Sequence, residues 1–496
     1  MNSDHASITT SLQSKRLPYD RFLTGALSST VIQIALLAGV TLVAAALRFY
    51  KLGAWSFWGD EILSVAGVED GFNFNIIRQS LALTLIELSV QRLGVSEWSA
   101  RLVPALIGVV SVPVLYFPIR KMLGRAVGLL SVLLLALSPW HLYWSQNARF
   151  YTLLMLFYAL ALLLFYLGLE GDRPLYLLGS VLFLGLAARE SLLALFLVPV
   201  LGGYLLLVAM LPVDKPPGFG RLRRLSLLLM PGLLVAGYFA WPYITHLPEW
   251  LRGFSRVNNP PIWLVAGVAY YVRLSTVCMA VGGAAFLLVR RNGDRRQRAG
   301  LLLSVSAFLP LLLLMVLSTF HYSANRYVFV TLPSWLMLAA VAGVELWRWA
   351  RSYTGDGLEP RWLAAGALLF LLVDPLGEAV LYFQYQNGNR DDWRAAFAFI
   401  EANRAPDDRV VTPQRELAEY YLGERANHFA QIDLAQIEAG EQTVWFVENL
   451  NAADLYPDVY RWLQREAELR GVFDVSVQAR TFTMRVYRYE PPGAAP

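Results

Sequence analysis

Two adjacent carboxylates, Asp60 and Glu61, lie in the stretch Trp55-Ser-Phe-Trp-Gly-Asp-Glu-Ile-Leu-Ser64. It follows an apolar run whose end carries Arg48, Phe49, Tyr50 and Lys51. A carboxylate at a low-dielectric boundary has its charged form disfavoured, which raises its pKa and makes it a stronger base. The same pair reads equally well as a solvated acidic turn, because perturbed acids mark sites only probabilistically. Trp55, Phe57 and Trp58 then serve as interfacial anchors.

Other residues could supply the opposite charge. Ser138-Pro-Trp-His-Leu-Tyr-Trp-Ser-Gln-Asn-Ala-Arg-Phe-Tyr151 is an aromatic loop with Arg149 where a helix begins. A guanidinium there offers a planar fork of donors to a phosphate, or it snorkels to lipid headgroups. His141 reads as a hydrogen-bonded interfacial histidine before a metal ligand. Ser323-Ala-Asn-Arg-Tyr-Val328 places Arg326 at a second helix mouth. Arg189 and Glu190 interrupt one long apolar stretch, where neighbouring opposite charges more often only punctuate a turn. Arg273 falls inside an apolar run, and an intramembrane arginine is a functional candidate by default.

The elements that must position these groups are membrane helices. The chain has 496 residues, 56% hydrophobic and 16% charged, with a mean hydropathy of +0.45. A soluble chain of this length needs more charge to cover its surface. The net charge of +5 comes as short clusters between apolar runs, which argues against nucleic acid. The single cysteine, Cys278, excludes an internal disulfide and a thiol metal cluster.

About eleven runs reach spanning length: 27–47, 102–119, 126–142, 153–169, 175–188, 192–211, 225–244, 262–289, 300–317, 328–347 and 362–382. The first is expected to be a retained anchor. With a cytoplasmic N-terminus, basic clusters such as Arg120-Lys121 and Arg290-Arg291 fall on the inner side, as the positive-inside rule requires. Asp60, the 138–150 loop, the Arg189 turn and the C-terminus then face outward. The first outer loop, 49–99, mixes Phe72, Phe74, Ile76, Ile77, Leu81, Leu83, Leu85 and Leu88 with Arg78, Gln79, Glu87 and Arg92, and predicts short interfacial helices. Beyond 385 the composition turns charged. Helices are predicted at 391–403 and 456–469, and strands at 409–412, 443–448 and within 472–489. The chain therefore divides into a transmembrane module, 1–385, and a small extracytoplasmic α/β domain, 386–496.

Several stretches occur in a telling order: Arg48-Phe-Tyr-Lys-Leu…Trp58-Gly-Asp-Glu, Gly94-Val-Ser-Glu-Trp-Ser-Ala-Arg-Leu-Val-Pro-Ala, Ser138-Pro-Trp-His…Ser145-Gln-Asn-Ala-Arg-Phe-Tyr, Asn325-Arg-Tyr and Asp391-Asp-Trp-Arg-Ala-Ala. This series resembles the bacterial family 39-type glycosyltransferases of the GT-C superfamily, relatives of protein O-mannosyltransferases and of the aminoarabinose transferase that acts on lipid A. The resemblance implies a polyprenyl-monophosphate-sugar donor used at the extracytoplasmic face of the bacterial inner membrane, without a nucleotide. It implies Asp60 as the essential acid, with Glu61 its neighbour, and Arg149 and Arg326 near the lipid phosphate. Gln146, Tyr151, His141 and Arg189 complete the expected substrate-binding set. Many relatives carry His-Pro-Pro-Leu-Tyr in the first loop, where this chain has Arg78-Gln-Ser-Leu-Ala-Leu-Thr84.

The expected activity is an inverting transfer of a sugar to an acceptor hydroxyl on a glycolipid, polysaccharide or protein, with Asp60 as base. No cofactor is required on this reading and no metal-ligand set is assigned, although a divalent cation stays compatible with it. The competing readings are a lipid-linked glycan flippase and a non-catalytic polyprenyl-phosphate-binding protein. A flippase should carry polar groups through the bundle interior, whereas here they gather at one face.

Overall fold

The computed structural model describes residues 30–66, 80–220, 260–289, 294–319, 322–353, 359–423, 426–477 and 480–491, with scattered positions between 226 and 245. The predicted span 225–244 lies largely outside the described residues, as do the polar N-terminus, the first half of the loop's interfacial stretch (Phe72 to Gln79) and His321.

The chain is a multi-pass helical membrane protein. Helix α1 (Thr30–Phe49) leads to a short helix, α2 (Gly59–Ala66), which begins with Gly59, Asp60 and Glu61. The loop's interfacial helix is α3 (Leu81–Leu93), capped by the Ser80 hydroxyl and burying Ala82, Leu83, Ile86 and Val90. Helix α4 (Glu97–Leu123) starts with a Ser96–Ser99 capping box and carries three internal prolines, which membrane helices tolerate. Helix α5 (Arg125–Leu137) is followed by α6 (Pro139–Ser145), and then come α7 (Tyr151–Glu170), α8 (Pro174–Glu190) and α9 (Leu197–Met210). The bundle continues through α10 (Pro261–Val272), α11 (Leu274–Val289), α12 (Arg295–Leu317), α13 (Leu332–Ser352) and α14 (Glu359–Gln384). Helix α7 lies at the centre, with 89% of its apolar window buried, so its whole circumference is hydrophobic.

Among the described residues seven helices are long and apolar enough to span, or nine if two bent pairs each count as one. Helix α8, at 17 residues, packs on α7 as the fifth predicted span. The break at Arg189-Glu190 is present, since α8 ends at Glu190 and a 3-10 turn, Leu192–Phe196, precedes α9.

Two predicted spans are not straight. The run 126–142 bends by 58° at Ser138, where Pro139 cannot donate to the helix ladder and the Ser138 hydroxyl accepts from the His141 N–H. The expected 138–150 loop is thus largely helix α6 and a turn. The run 262–289 bends by 98° at Arg273, whose φ of +78° lies in the region that L side chains rarely adopt. Arg273 holds this bend by ion pairs of 2.7 Å to Asp374 and 2.8 Å to Glu378, both on α14. It does not merely reach for the surface; it ties the kink to another helix.

After α14 comes a mixed sheet with strands β1 (Arg409–Thr412), β2 (Asn427–His428), β3 (Val444–Glu448), β4 (Glu468–Phe473) and β7 (Met484–Tyr489), in the order β2-β1-β3-β7-β4. Strand β1 runs parallel to β2 and β3, while β7 is antiparallel to β3 and β4. Strands β5 (Ser476–Val477) and β6 (Arg480–Thr481) form a separate ribbon. Helices α15 (Trp393–Asn403) and α16 (Arg415–Leu422) cover one face of the sheet. That face shares a core with the first loop, in which Trp393, Phe397, Leu417 and Trp445 pack with Phe57, Ile62, Leu83 and Ile86.

Candidate active site

Asp60 and Glu61 adjoin in sequence but diverge in space, because successive residues of a helix point about 100° apart. Glu61 turns inward and is fully buried. Its carboxylate accepts from Arg101 Nε (2.9 Å) and Nη2 (2.7 Å) and from the Ala148 N–H (2.8 Å), with Arg390 Nη1 at 3.8 Å. Burial pushes its pKa up, but the Arg101 charge, then Arg390 and these hydrogen bonds, outweigh burial and hold it below the usual carboxylate range. Arg101 spends its remaining donors on the carbonyls of Leu52, Trp55 and Ser56. Glu61 therefore ties the Asp60 loop to α4 and to the turn before α7. Buried behind this network, it is placed to set the loop's position and not to touch a substrate.

Asp60 turns outward, with its side chain 32% exposed and Oδ2 lying 3.7 Å from Arg326 Nη1. Arg326 opens a 3-10 turn, Asn325–Thr331, at the start of α13. Arg149, just before α7, donates to the Asp60 carbonyl (3.0 Å) and the Ser64 hydroxyl (2.8 Å). Tyr151 is buried between Trp144 and Phe150, within electrostatic reach of Arg326, Arg149 and Asp60. Four candidate residues from three separate parts of the chain thus converge. The Nε donors of both Arg149 and Arg326 are buried and have no hydrogen-bond partner. A buried donor left without an acceptor costs about 1–3 kcal/mol, which an arriving anion would relieve; the Nε groups of Arg48 and Arg390 are also unpartnered, but these two lie behind the site.

The other candidates lie elsewhere. His141 is fully buried, its Nδ1 2.6 Å from Arg48 Nη2 and its ring stacked on Phe329. Arg48 donates in addition to the carbonyls of Ala44, Leu135 and Ala136. Gln146 is also buried; it donates to the Arg48 and Tyr50 carbonyls and accepts from the Tyr382 hydroxyl at 2.9 Å. Both residues fix the end of α1 against α6, behind the site. Arg189 is exposed at the end of α8. Its neighbour Glu190 caps α3, accepting from the Ser80 hydroxyl (2.5 Å) and the Leu81 N–H (2.9 Å). Among the described residues no three His, Cys, Asp or Glu side chains gather as a metal site.

Sequence reasoning did not single out Arg48, Arg101 or Arg390 as supports. All three are fully buried, and for Arg48 and Arg101 the signal was available: each is a charge beside an apolar run, where an internal partner is required.

A helical bundle with a small sheet domain attached is a fold that this chain shares with solved membrane proteins, and in this chain the first loop carries an acid opposed by arginines. A family model described as dolichyl-phosphate-mannose-protein mannosyltransferase matches residues 81–218. No curated protein matches the chain. Among solved structures, ArnT from Cupriavidus metallidurans bound to undecaprenyl phosphate is similar at 15% identity and a TM-score of 0.56, over 94% of this chain and all of that one. The Archaeoglobus fulgidus oligosaccharyltransferase, tethered to an acceptor peptide, is similar at 10% identity and a TM-score of 0.56, over 94% of this chain and 74% of that one.

Proposed function

We propose that this protein is an inverting glycosyltransferase that moves a sugar from a polyprenyl monophosphate to an acceptor hydroxyl at the extracytoplasmic face of a bacterial inner membrane. The observation that carries the reading is the pair of unpartnered, buried guanidinium N–H groups of Arg149 and Arg326 beside the accessible Asp60 carboxylate. An anion that accepts from both donors and a nucleophile that needs a base would meet there. The relative crystallised with undecaprenyl phosphate supports a lipid phosphate as the anion.

In the reaction, Asp60 Oδ accepts the proton of the acceptor hydroxyl. The oxygen attacks the anomeric carbon from the face opposite the phosphate, and the carbon–oxygen bond to phosphate breaks. Its electron pair leaves on the phosphate, where Arg149 and Arg326 stabilise the growing charge; preorganised donors are usually the largest single catalytic effect. Glu61 acts indirectly, by holding the helix turn that presents Asp60. The transfer so drawn needs no metal, and activity in EDTA is the control.

The test uses purified protein in detergent, undecaprenyl phosphate as the binding probe, and polyprenyl-phosphate sugars with envelope glycolipid and glycoprotein fractions as substrates. Asp60→Asn should bind undecaprenyl phosphate normally and transfer no sugar. Transfer by that variant at the wild-type rate would remove Asp60 from the reaction. Binding without turnover in the wild-type protein would instead favour a carrier or flippase.

A further inference from the structure

From the contact between the sheet domain and the Asp60 loop, we infer that Gln414 is a positioning residue for the acceptor, grasping hydroxyl groups of a sugar ring beside Asp60. The inference rests on the transferase reading above. It assigns to the C-terminal unit a direct part in that site.

Gln414 lies two residues past β1, at the edge of the sheet where the parallel strands end. Ligands of open α/β sheets settle outside the carboxyl ends of parallel strands. Here that edge faces the first loop. A Cβ placed on Gly59 would lie 2.8 Å from Gln414 Oε1 and 3.1 Å from its Nε2, so the amide rests directly on the backbone that precedes Asp60. A larger residue at 59 would push the amide aside. Although Gln414 precedes α16, its side chain does not cap that helix. Its amide has no hydrogen-bond partner among the described residues, and the residue is partly exposed.

The placement is held firmly. Helix α16 packs on α2, the Phe57 N–H donates to the Tyr421 hydroxyl (2.8 Å), and that hydroxyl donates to Glu97 (2.7 Å). Arg394 pairs with the same Glu97 at 2.6 Å. A free amide on so fixed a mount is pre-organised for binding. Strand β3 runs parallel to β1, and Asn449 follows it at the same end of the sheet. Asn449 Oδ1 is buried there without a donor.

The chemistry selects the ligand class. A neutral amide offers donors and an acceptor on one planar group, which matches vicinal hydroxyls. It has no charge with which to favour a phosphate or an amine. The lipid phosphate belongs to Arg149 and Arg326, so Gln414 serves the other partner.

The experiment compares wild type, Gln414→Ala and Gln414→Glu, all purified from the full chain. Undecaprenyl phosphate binding is measured by tryptophan fluorescence, and sugar transfer is followed against acceptor concentration, using the envelope fraction that the wild-type protein glycosylates. For Gln414→Ala we expect unchanged lipid-phosphate binding and unchanged thermal stability. The acceptor KM should rise about tenfold, the loss of one or two neutral hydrogen bonds, with kcat within about twofold. Gln414→Glu keeps the acceptor oxygens and should fall between the two. An acceptor KM equal to wild type in Gln414→Ala overturns the inference while the transferase reading stands. A wild-type protein that binds undecaprenyl phosphate and transfers nothing overturns both.

Discussion

Replacing Glu61 with glutamine separates the two carboxylates. The side chain keeps its size, but Arg101 and Arg390, both fully buried, lose the carboxylate that lies within 4 Å of both guanidiniums. One of the two Arg101 hydrogen bonds, at 2.9 and 2.7 Å, would face an amide donor instead of an acceptor. Removing one partner of a buried ion pair costs about 3–5 kcal/mol, because the surviving charge stays buried. Thermal unfolding in detergent should therefore show Glu61→Gln melting several degrees below wild type. The pH dependence has a definite sign. Folding lowers the Glu61 pKa, so its contribution is complete above the unfolded value of about 4.3 and is lost as pH falls through the lower folded value. The gap between wild type and variant should stay constant from about pH 8 to 5 and close only below about 4. Adding Arg101→Met should recover part of the loss, since the pair is coupled. A Glu61→Gln protein with wild-type melting would refute this account of the loop.

Asp60→Asn, by contrast, should melt within about 1 kcal/mol of wild type, because its pair with Arg326 is long and its side chain about one-third exposed. A large loss of stability would show that Asp60, too, is structural. Arg149→Ala and Arg326→Ala should each weaken undecaprenyl phosphate binding about 10- to 100-fold, the range of one charge-assisted hydrogen bond, and direct titration decides it. Gly267→Ala on α10 would drive a methyl group into the Asn325 amide beside Arg326. Overpacking of that kind costs about 1–3 kcal/mol, and the expected readout is weaker lipid-phosphate binding together with lowered melting. Arg273→Met would strand Asp374 and Glu378 without their cation, and a melting temperature equal to wild type would show that the kink holds without it.

The sequence made the spans legible because crossing a membrane requires long apolar runs, and each described run reappears as helix. It showed the strands at 409–412 and 443–448 because short runs rich in β-branched and aromatic residues mark buried strands, and β3 is buried along its whole length. The bend at Arg273 was hidden, since nothing in residue type announces a positive φ outside glycine. The division of labour between Asp60 and Glu61 was hidden too. It depends on which way each points from a short helix, and that is settled by Arg101 forty residues away. Arg149 and Arg326 could be selected as cations at helix mouths. That both retain an unpartnered Nε emerges only when the surrounding side chains are in place. Gln414 carried no signal at all, being a neutral residue in a domain distant in sequence.

The first loop and the sheet domain pack their apolar residues together, with Phe57 and Ile62 interleaved among Trp393, Phe397 and Leu417. Neither surface can drift independently over generations, because a change of side-chain volume on one is felt by the other. Recombining this protein with a relative should thus fail at a junction near residue 386 and succeed only when both segments travel as one cassette. Acceptor preference and the acid's setting would then be inherited jointly.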